Sequence, residues 1–156
     1  MEPDGTEADA VRIETETDAA LRRTVRANLS AFNDTRSNVL RGFRETGEDH
    51  QVPLDVYAFD GDDLVAGLVA DTWGHWLQVD LLWVHEDRRG SGLGGQLLAL
   101  AEQRARDDRG CVGARLDTWG FQAKPFYEKL GYTVFGVLED YPPGETEYLL
   151  AKRLDG

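Results

Sequence analysis

Four glycines fall within the six residues from Gly90 to Gly95. Ahead of them, Trp76 to Val84 reads WLQVDLLWV, apolar and rich in β-branched and aromatic residues, as a buried strand reads. Behind them, Leu97, Leu98, Ala101 and Ala105 recur at helical spacing. Glycine allows positive φ and lets a ligand come close to the backbone. A helix N-terminus offers unpaired N–H groups and the positive end of the helix dipole. Strand, glycine turn and helix start together make an anion site, and a pyrophosphate suits it.

Three pyrophosphate patterns compete. A P-loop needs Lys-Ser or Lys-Thr after its last glycine, whereas Gln96 and Leu97 follow Gly95. The dinucleotide pattern of Gly90, Gly92 and Gly95 is present, with Asp117 roughly 20 residues on. There, however, the glycines should follow the strand directly, and the five residues from His85 to Arg89 intervene. Too little chain remains after Gly95 for the rest of a doubly wound sheet. A nicotinamide-binding domain is therefore the weaker rival. The third pattern is Arg89-Gly90-Ser91-Gly92-Leu93-Gly94, preceded by LLWVHEDR. It resembles the acetyl-CoA-binding segment of the GNAT superfamily of N-acetyltransferases. A later segment, Ala123-Lys124-Pro125-Phe126-Tyr127-Glu128-Lys129-Leu130-Gly131-Tyr132, is similar to a second signature of that family. Two motifs in order are more specific than either alone, and the resemblance runs from Val11 to Leu154.

The resemblance implies an α/β (α+β) fold: a mixed, mostly antiparallel sheet of about seven strands with about four helices. The expected order is β-αα-βββ-α-β-α-ββ. The chain reads accordingly. Val11 to Glu14 alternates as an edge-like strand. Thr17-Asp18 caps a helix over Ala19 to Phe32, and a second helix runs through Val39, Leu40 and Phe43. Leu54 to Asp60, Leu64 to Trp73 and Trp76 to Val84 form an antiparallel meander turning at Gly61 and at Gly74-His75. A helix from Gly92 to Arg109 stops at Gly110. Val112 to Trp119 then lies parallel to Trp76–Val84. A short helix from Gln122 to Leu130 and strands from Tyr132 to Leu138 and Glu147 to Arg153 complete the domain, 11–154. Residues 1–10 are expected to be a flexible N-terminus.

The implied function is transfer of an acetyl group from acetyl-CoA, as co-substrate, to a primary amine in a ternary complex. The alternative is a CoA-binding sensor or interaction module without transfer activity. Backbone amides of Arg89, Gly90, Ser91, Gly92, Leu93, Gly94 and Gly95 would hold the pyrophosphate. In the family the pantetheine arm adds along the strand before the loop, here the backbone of Leu82, Trp83 and Val84, if the two parallel strands part there. The Trp83 side chain is expected on the opposite face, in the core. Tyr127 matches the tyrosine that reaches the CoA sulfur, and a phenol is protonated at neutral pH. Gly120 stands where the family often has Asn, with Gln122 nearby. Asp80 is the candidate base: it shares strand parity with Leu82 and Val84 and sits among apolar residues that would raise its pKa. Asp117, on the parallel neighbour, is its rival.

Other chemistry is poorly supplied. His50, His75, His85 and Cys111 lie too far apart for a metal pattern. His75 reads as a turn residue at the surface. Cys111 has no histidine near in sequence and reads as a small buried residue rather than a nucleophile. One cysteine, no long apolar run and no secretory signal point to the cytoplasm and away from a membrane. The formal charge of −12 argues against nucleic acid. It fits an amine acceptor, a small molecule or a peptide, and it also fits adaptation to high salt. Three lysines against fourteen arginines, with Asp in excess of Glu, favour the halophilic explanation. Homodimers are common in the family.

Overall fold

The computed structural model describes residues 11–156. The chain divides after Gly42 into two compact units. The first holds helix α1, Ala19–Arg36. The Asp18 carboxylate caps it by accepting from the Leu21 N–H at 2.8 Å. Leu21, Val25, Leu29 and Phe32 make one apolar stripe, and each is more than half exposed. Val11 and Ile13 are exposed and the expected first strand does not form. Alternation marks a strand only where a neighbour pairs with it. The segment expected to be flexible, 1–10, lies outside the described residues. Helix α2, Asn38–Glu45, spans the division.

The second unit carries the sheet. Its strands are β1 (Val52–Pro53), β2 (Val56–Asp60), β3 (Asp63–Trp73), β4 (Trp76–Val84), β5 (Gly113–Trp119), β6 (Thr133–Glu139) and β7 (Thr146–Arg153). The order is β1-β3-β4-β5-β7-β6, with β2 also on β3, and only β4 and β5 are parallel. The expected fold class holds: seven strands, mostly antiparallel, with four helices. The seventh strand is not the N-terminal one. It arises because the run Leu54 to Asp60 begins at Val56, while Val52–Pro53 pairs separately with Thr72 and Asp71. Between the two, buried Leu54 donates its N–H to the Ala70 carbonyl and the Asp55 carboxylate accepts from the Ala70 N–H.

Helix α3, Leu93–Arg109, covers one face of the sheet. Its stripe of Leu97, Leu98, Ala101 and Ala105 is buried in one cluster with Leu68, Ala70, Leu77, Val79, Ala114, Leu116 and Leu150. Alanines keep the helix close to the strands, and burial of the leucines contributes roughly 2 kcal/mol each. Gly110 ends the helix at φ 63° and donates to the Arg106 carbonyl. Two anchors fix that end. Arg109 donates to the Val52 and Pro53 carbonyls and the Thr72 hydroxyl, and the His75 Nδ1 lies 3.1 Å from the Gly110 carbonyl. His75 is thus a pin in the turn rather than a plain surface residue. Helix α4, Lys124–Lys129, starts with Pro125 in its first turn, where a missing N–H costs nothing.

Candidate active site

The two parallel strands pair only from Trp76 opposite Gly113 to Val79 opposite Leu116. Beyond that row they part. β5 continues to Trp119 paired with β7, and β4 continues to Val84 paired with β3. From Asp80 to Val84 the backbone on the β5 side therefore has no strand partner among the described residues, which meets the condition the family resemblance set.

A β-bulge sits at the parting point. Val69 lies opposite Leu81 and Ala70 opposite Val79, so Asp80 is the extra residue on β4. One inserted residue reverses the alternation of everything after it. Leu77 and Val79 face the core before the bulge, Leu82 and Val84 after it. This corrects the parity argument: Asp80 does not share a face with Leu82 and Val84. It lies on the face away from α3, where the neighbouring Asp71 carboxyl acts on it. Trp83 is on that outer face too, its ring edge-on to His85 at 6.1 Å. At 44% exposure it is not core.

On the α3 face the glycine loop opens into a cleft of about 690 Å³. The strand leaves through a single 3₁₀ turn, Glu86–Arg88, whose start is held by the Asp87 N–H donating to His85 Nδ1 at 3.2 Å. Arg88 pairs with Asp60, Arg89 Nε donates to the Val84 carbonyl, and Ser91 Oγ donates to the Arg88 carbonyl. Gly90 and Gly92 take φ of 76° and 83°, which side chains resist. Gly92 caps α3 with no side chain, and Gln96 makes the first intrahelical bond back to it. The N–H groups of Leu93, Gly94 and Gly95 are left at the helix start without a helical partner. Leu82 and Val84 form one wall of the cleft, Arg88 to Gly95 its head, and Gln122, Ala123, Pro125, Phe126 and Tyr127 the other wall.

Of the predicted binding residues, Leu82, Val84, Arg89, Gly90, Gly92, Leu93, Gly94, Gly95 and Tyr127 line this one cleft. Ser91 braces the loop instead, and Trp83 and Asp80 lie across the sheet. The Tyr127 ring is buried and packs edge-on against Phe126 and Tyr132. Burial first, and the Asp117 carboxylate second, push its phenol up to about 12. Asp80 is raised above the ordinary carboxylate range by desolvation, then by the charge and hydrogen bond of Asp71 and the charge of Asp117; Arg115 opposes this. Glu147, at the start of β7, is raised by desolvation and by its hydrogen bond with Asp117.

The chain and its fold have known counterparts. A sequence profile of the acetyltransferase (GNAT) family matches residues 18–132. The chain belongs to that family. It is 46% identical over 130 residues to the blasticidin-S acetyltransferase of Streptomyces morookaense, covering 81% of this chain and 96% of that one. An acetyltransferase of Agrobacterium fabrum is 37% identical over 137 residues, 87% of this chain and 93% of that one. Among solved structures, an acetyltransferase from Bacillus cereus superposes with a TM-score of 0.76 at 27% identity, covering 92% and 97% of the two chains. Family and relatives make this GNAT chain an N-acetyltransferase. Acetyl-CoA is the co-substrate of the family.

Several residues of this GNAT site escape a reading of the sequence. Arg88 lines the cleft head as well as Arg89. Gln122 takes part in the cleft wall, but its carboxamide oxygen accepts from the Thr118 hydroxyl and the Trp119 N–H. It ties the end of β5 to α4, and its NH₂ makes no hydrogen bond among the described residues. Asp71 and Glu147 join Asp80 and Asp117 only through strand register, which no local pattern reveals. Cys111 is 3% exposed and its thiol is raised by burial, the reverse of what a nucleophile needs. No helix is long and apolar enough to cross a membrane, and no metal-binding cluster occurs, among the described residues.

Proposed function

We propose that this chain transfers the acetyl group of acetyl-CoA directly to a primary amine of a small molecule, with both substrates bound together. The observation that carries the reading is the opening between β4 and β5. On its α3 side lie the free amides of the glycine loop and Tyr127; on its outer side lies Asp80.

The amides from Arg89 to Gly95 hold the pyrophosphate, helped by the dipole of α3. The unpaired edge of β4 around Leu82 and Val84 hydrogen-bonds the pantetheine amides as a further strand would. One N–H of that edge donates to the thioester oxygen, where negative charge develops. Asp80, acting through water, takes a proton from the incoming ammonium, and its raised pKa brings it nearer the working range of a base. The amine nitrogen then attacks the thioester carbon, the C–S bond breaks, and the acylated nitrogen sheds its remaining extra proton to water to leave the neutral amide. Tyr127 donates to the departing sulfur. At about 12 its phenol is a weaker acid than a free thiol near 8.5, so full transfer to a thiolate as basic as in water would be uphill by about 5 kcal/mol. The dry site that raises the phenol raises the thiolate as well, which narrows the gap.

Acidic side chains around the opening, Asp71, Asp80, Asp117 and Glu147, favour a cationic acceptor. The Streptomyces relative is named for blasticidin S, which makes that compound the first acceptor to try. The test is release of free CoA thiol from acetyl-CoA across a panel of amines that includes it, with mass spectrometry of the acceptor. Amine-dependent release with one acetyl gained supports transfer. Binding of acetyl-CoA with no amine acetylated would leave a CoA-binding module and sink the reading.

A further inference from the structure

The outer face of the sheet holds a second groove, of about 480 Å³. Its floor is one register row: Asp71 opposite Gln78, Gln78 opposite Arg115, and Arg115 opposite Ala151. Trp73, Trp76 and Phe135 wall it. All three rings are placed by local structure. The Trp76 ring lies over Gly113, where any Cβ would come within 2.5 Å of it, and the Arg153 guanidinium stands 5.8 Å from its centroid. Trp73 meets the Phe43 ring edge-on at 6.3 Å. Phe135 is the residue that a bulge between Val134 and Gly136 leaves unpaired, and it is 60% exposed. Bulges re-aim side chains, and the two at Asp80 and Phe135 both lie on strands that build this face.

The polar groups of the floor are available. Arg115 makes no ion pair among the described residues, although the chain around it is acidic. Gln78 spends one N–H on the Val79 carbonyl. Asp71 links the groove to the reacting site, because it lies opposite Gln78 and its charge acts on Asp80. Asp80 is two residues along β4 from Gln78, a rise of about 7 Å.

We propose that this groove seats the non-reacting end of the acceptor, and that this end is a planar ring with a hydrogen-bond donor and an acceptor on its edge. The ring stacks against Trp73, Trp76 and Phe135. Arg115 and Gln78 supply donors to the edge, and Asp71 accepts from it. An amine on a short tether then lies beside Asp80. Small Ala151 leaves the depth that the ring needs. The inference rests on the proposal that the amine enters from the Asp80 side.

Two amines that differ only in the ring test it: aminomethylbenzamide and its cyclohexane counterpart. In the wild type, kcat/KM should favour the aromatic amine by about tenfold, the worth of one good aromatic contact. Ala151→Leu, which fills the groove, should pull that ratio towards one, and Arg115→Met, which removes the edge donor, should lower kcat/KM for both carboxamides. Benzamide itself, with no amine to acetylate, should inhibit the wild type competitively against the amine and not against acetyl-CoA. This last measurement needs no variant to fold. Equal kcat/KM for the two amines, a ratio untouched by Ala151→Leu, kcat/KM untouched by Arg115→Met, or no competition from benzamide would overturn the proposal. If instead no amine of any kind is acetylated while acetyl-CoA binds, the transfer reading itself has failed.

Discussion

The Asp117 carboxylate on β5 raises the Tyr127 phenol on α4, an effect second only to the burial of the ring. The same carboxylate raises Asp80 and Glu147. One charge at the mouth of the opening therefore acts on both the proposed proton donor and the proposed base. Asp117→Asn removes it, and both groups become easier to ionise. The acidic and the alkaline limbs of kcat/KM against pH should move to lower pH together. An unmoved acidic limb would take Asp80 out of the base role, or Asp117 out of its surroundings.

Tyr127→Phe keeps the ring that packs on Phe126 and Tyr132 and removes only the donor. It should lower kcat by about 10² to 10⁴, the usual range for a positioned proton donor, and change KM for acetyl-CoA far less. Because the phenol is raised to about 12, the wild type should show no alkaline loss from Tyr127 below about pH 11. Equal loss in kcat and in acetyl-CoA affinity would mean that the hydroxyl merely helps to bind.

Asp80 also leaves a mark on stability, and its sign follows from its raised pKa. The folded state holds the Asp80 proton more tightly than the unfolded chain does. Its contribution is fully present below the unfolded carboxylate pKa and is lost as pH rises through the folded one. Asp80→Asn should therefore melt higher than the wild type at neutral pH, with the difference vanishing in acid, while turnover falls. Melting curves from pH 3 to 8 settle the sign. A lower melting temperature at neutral pH would show that Asp80 is held by favourable contacts and has no strained pKa.

The limits of a sequence reading are visible at this residue. The strand Trp76–Val84, the glycine loop, α3 and the parallel partner all follow from local pattern and order, whereas the parting of β4 from β5 is implied only by the family resemblance. The bulge does not. One extra residue in β4 leaves the apolar run intact and turns Leu82 and Val84 to the face opposite Asp80, so period-two counting fails without a signal. The same holds for Phe135. The row from Asp71 through Gln78 and Arg115 to Ala151 joins the β3–β4 hairpin to two strands far along the chain, and only register aligns them. Val11–Glu14 errs the other way: it alternates as a strand should, yet pairs with nothing.

Gly92 and Gly94 make a contrast within the loop. Gly92 lies at φ 83° with open space where a Cβ would go. Gly92→Ala should cost about 1 kcal/mol in backbone strain and weaken acetyl-CoA binding as the first turn of α3 adjusts. At Gly94 no positive φ is required, and a Cβ would meet Val84 at 3.4 Å and Phe126 at 3.5 Å, ordinary contact distances. Gly94→Ala should leave the melting temperature near the wild-type value, since alanine is the better helix former. Its methyl group enters the cleft wall, so acetyl-CoA affinity should still fall. Calorimetric titration with acetyl-CoA beside thermal melting separates the two effects. Loss of stability at Gly94 with affinity intact would show that the glycine serves packing and not the ligand.

The Tyr132 hydroxyl, behind Tyr127, is buried without a hydrogen-bond partner among the described residues. The Lys152 ammonium stands 5.7 Å from its ring centroid and donates to both oxygens of buried Glu102, at 2.9 and 3.0 Å. Glu102, Lys152 and Tyr132 thus back the ring on which Tyr127 leans. Tyr132→Phe removes an unpaired polar group, which costs about 1 to 3 kcal/mol to bury, and should leave the protein as stable or more so. Lys152→Met, in contrast, strands the Glu102 carboxylate at 7% exposure and should destabilise by about 2 kcal/mol after allowance for the partly exposed lysine. Urea melts of both variants decide between these outcomes. If Tyr132→Phe is the more damaging, the hydroxyl has a partner in solution, and the support behind Tyr127 is a hydrogen bond as well as ring packing.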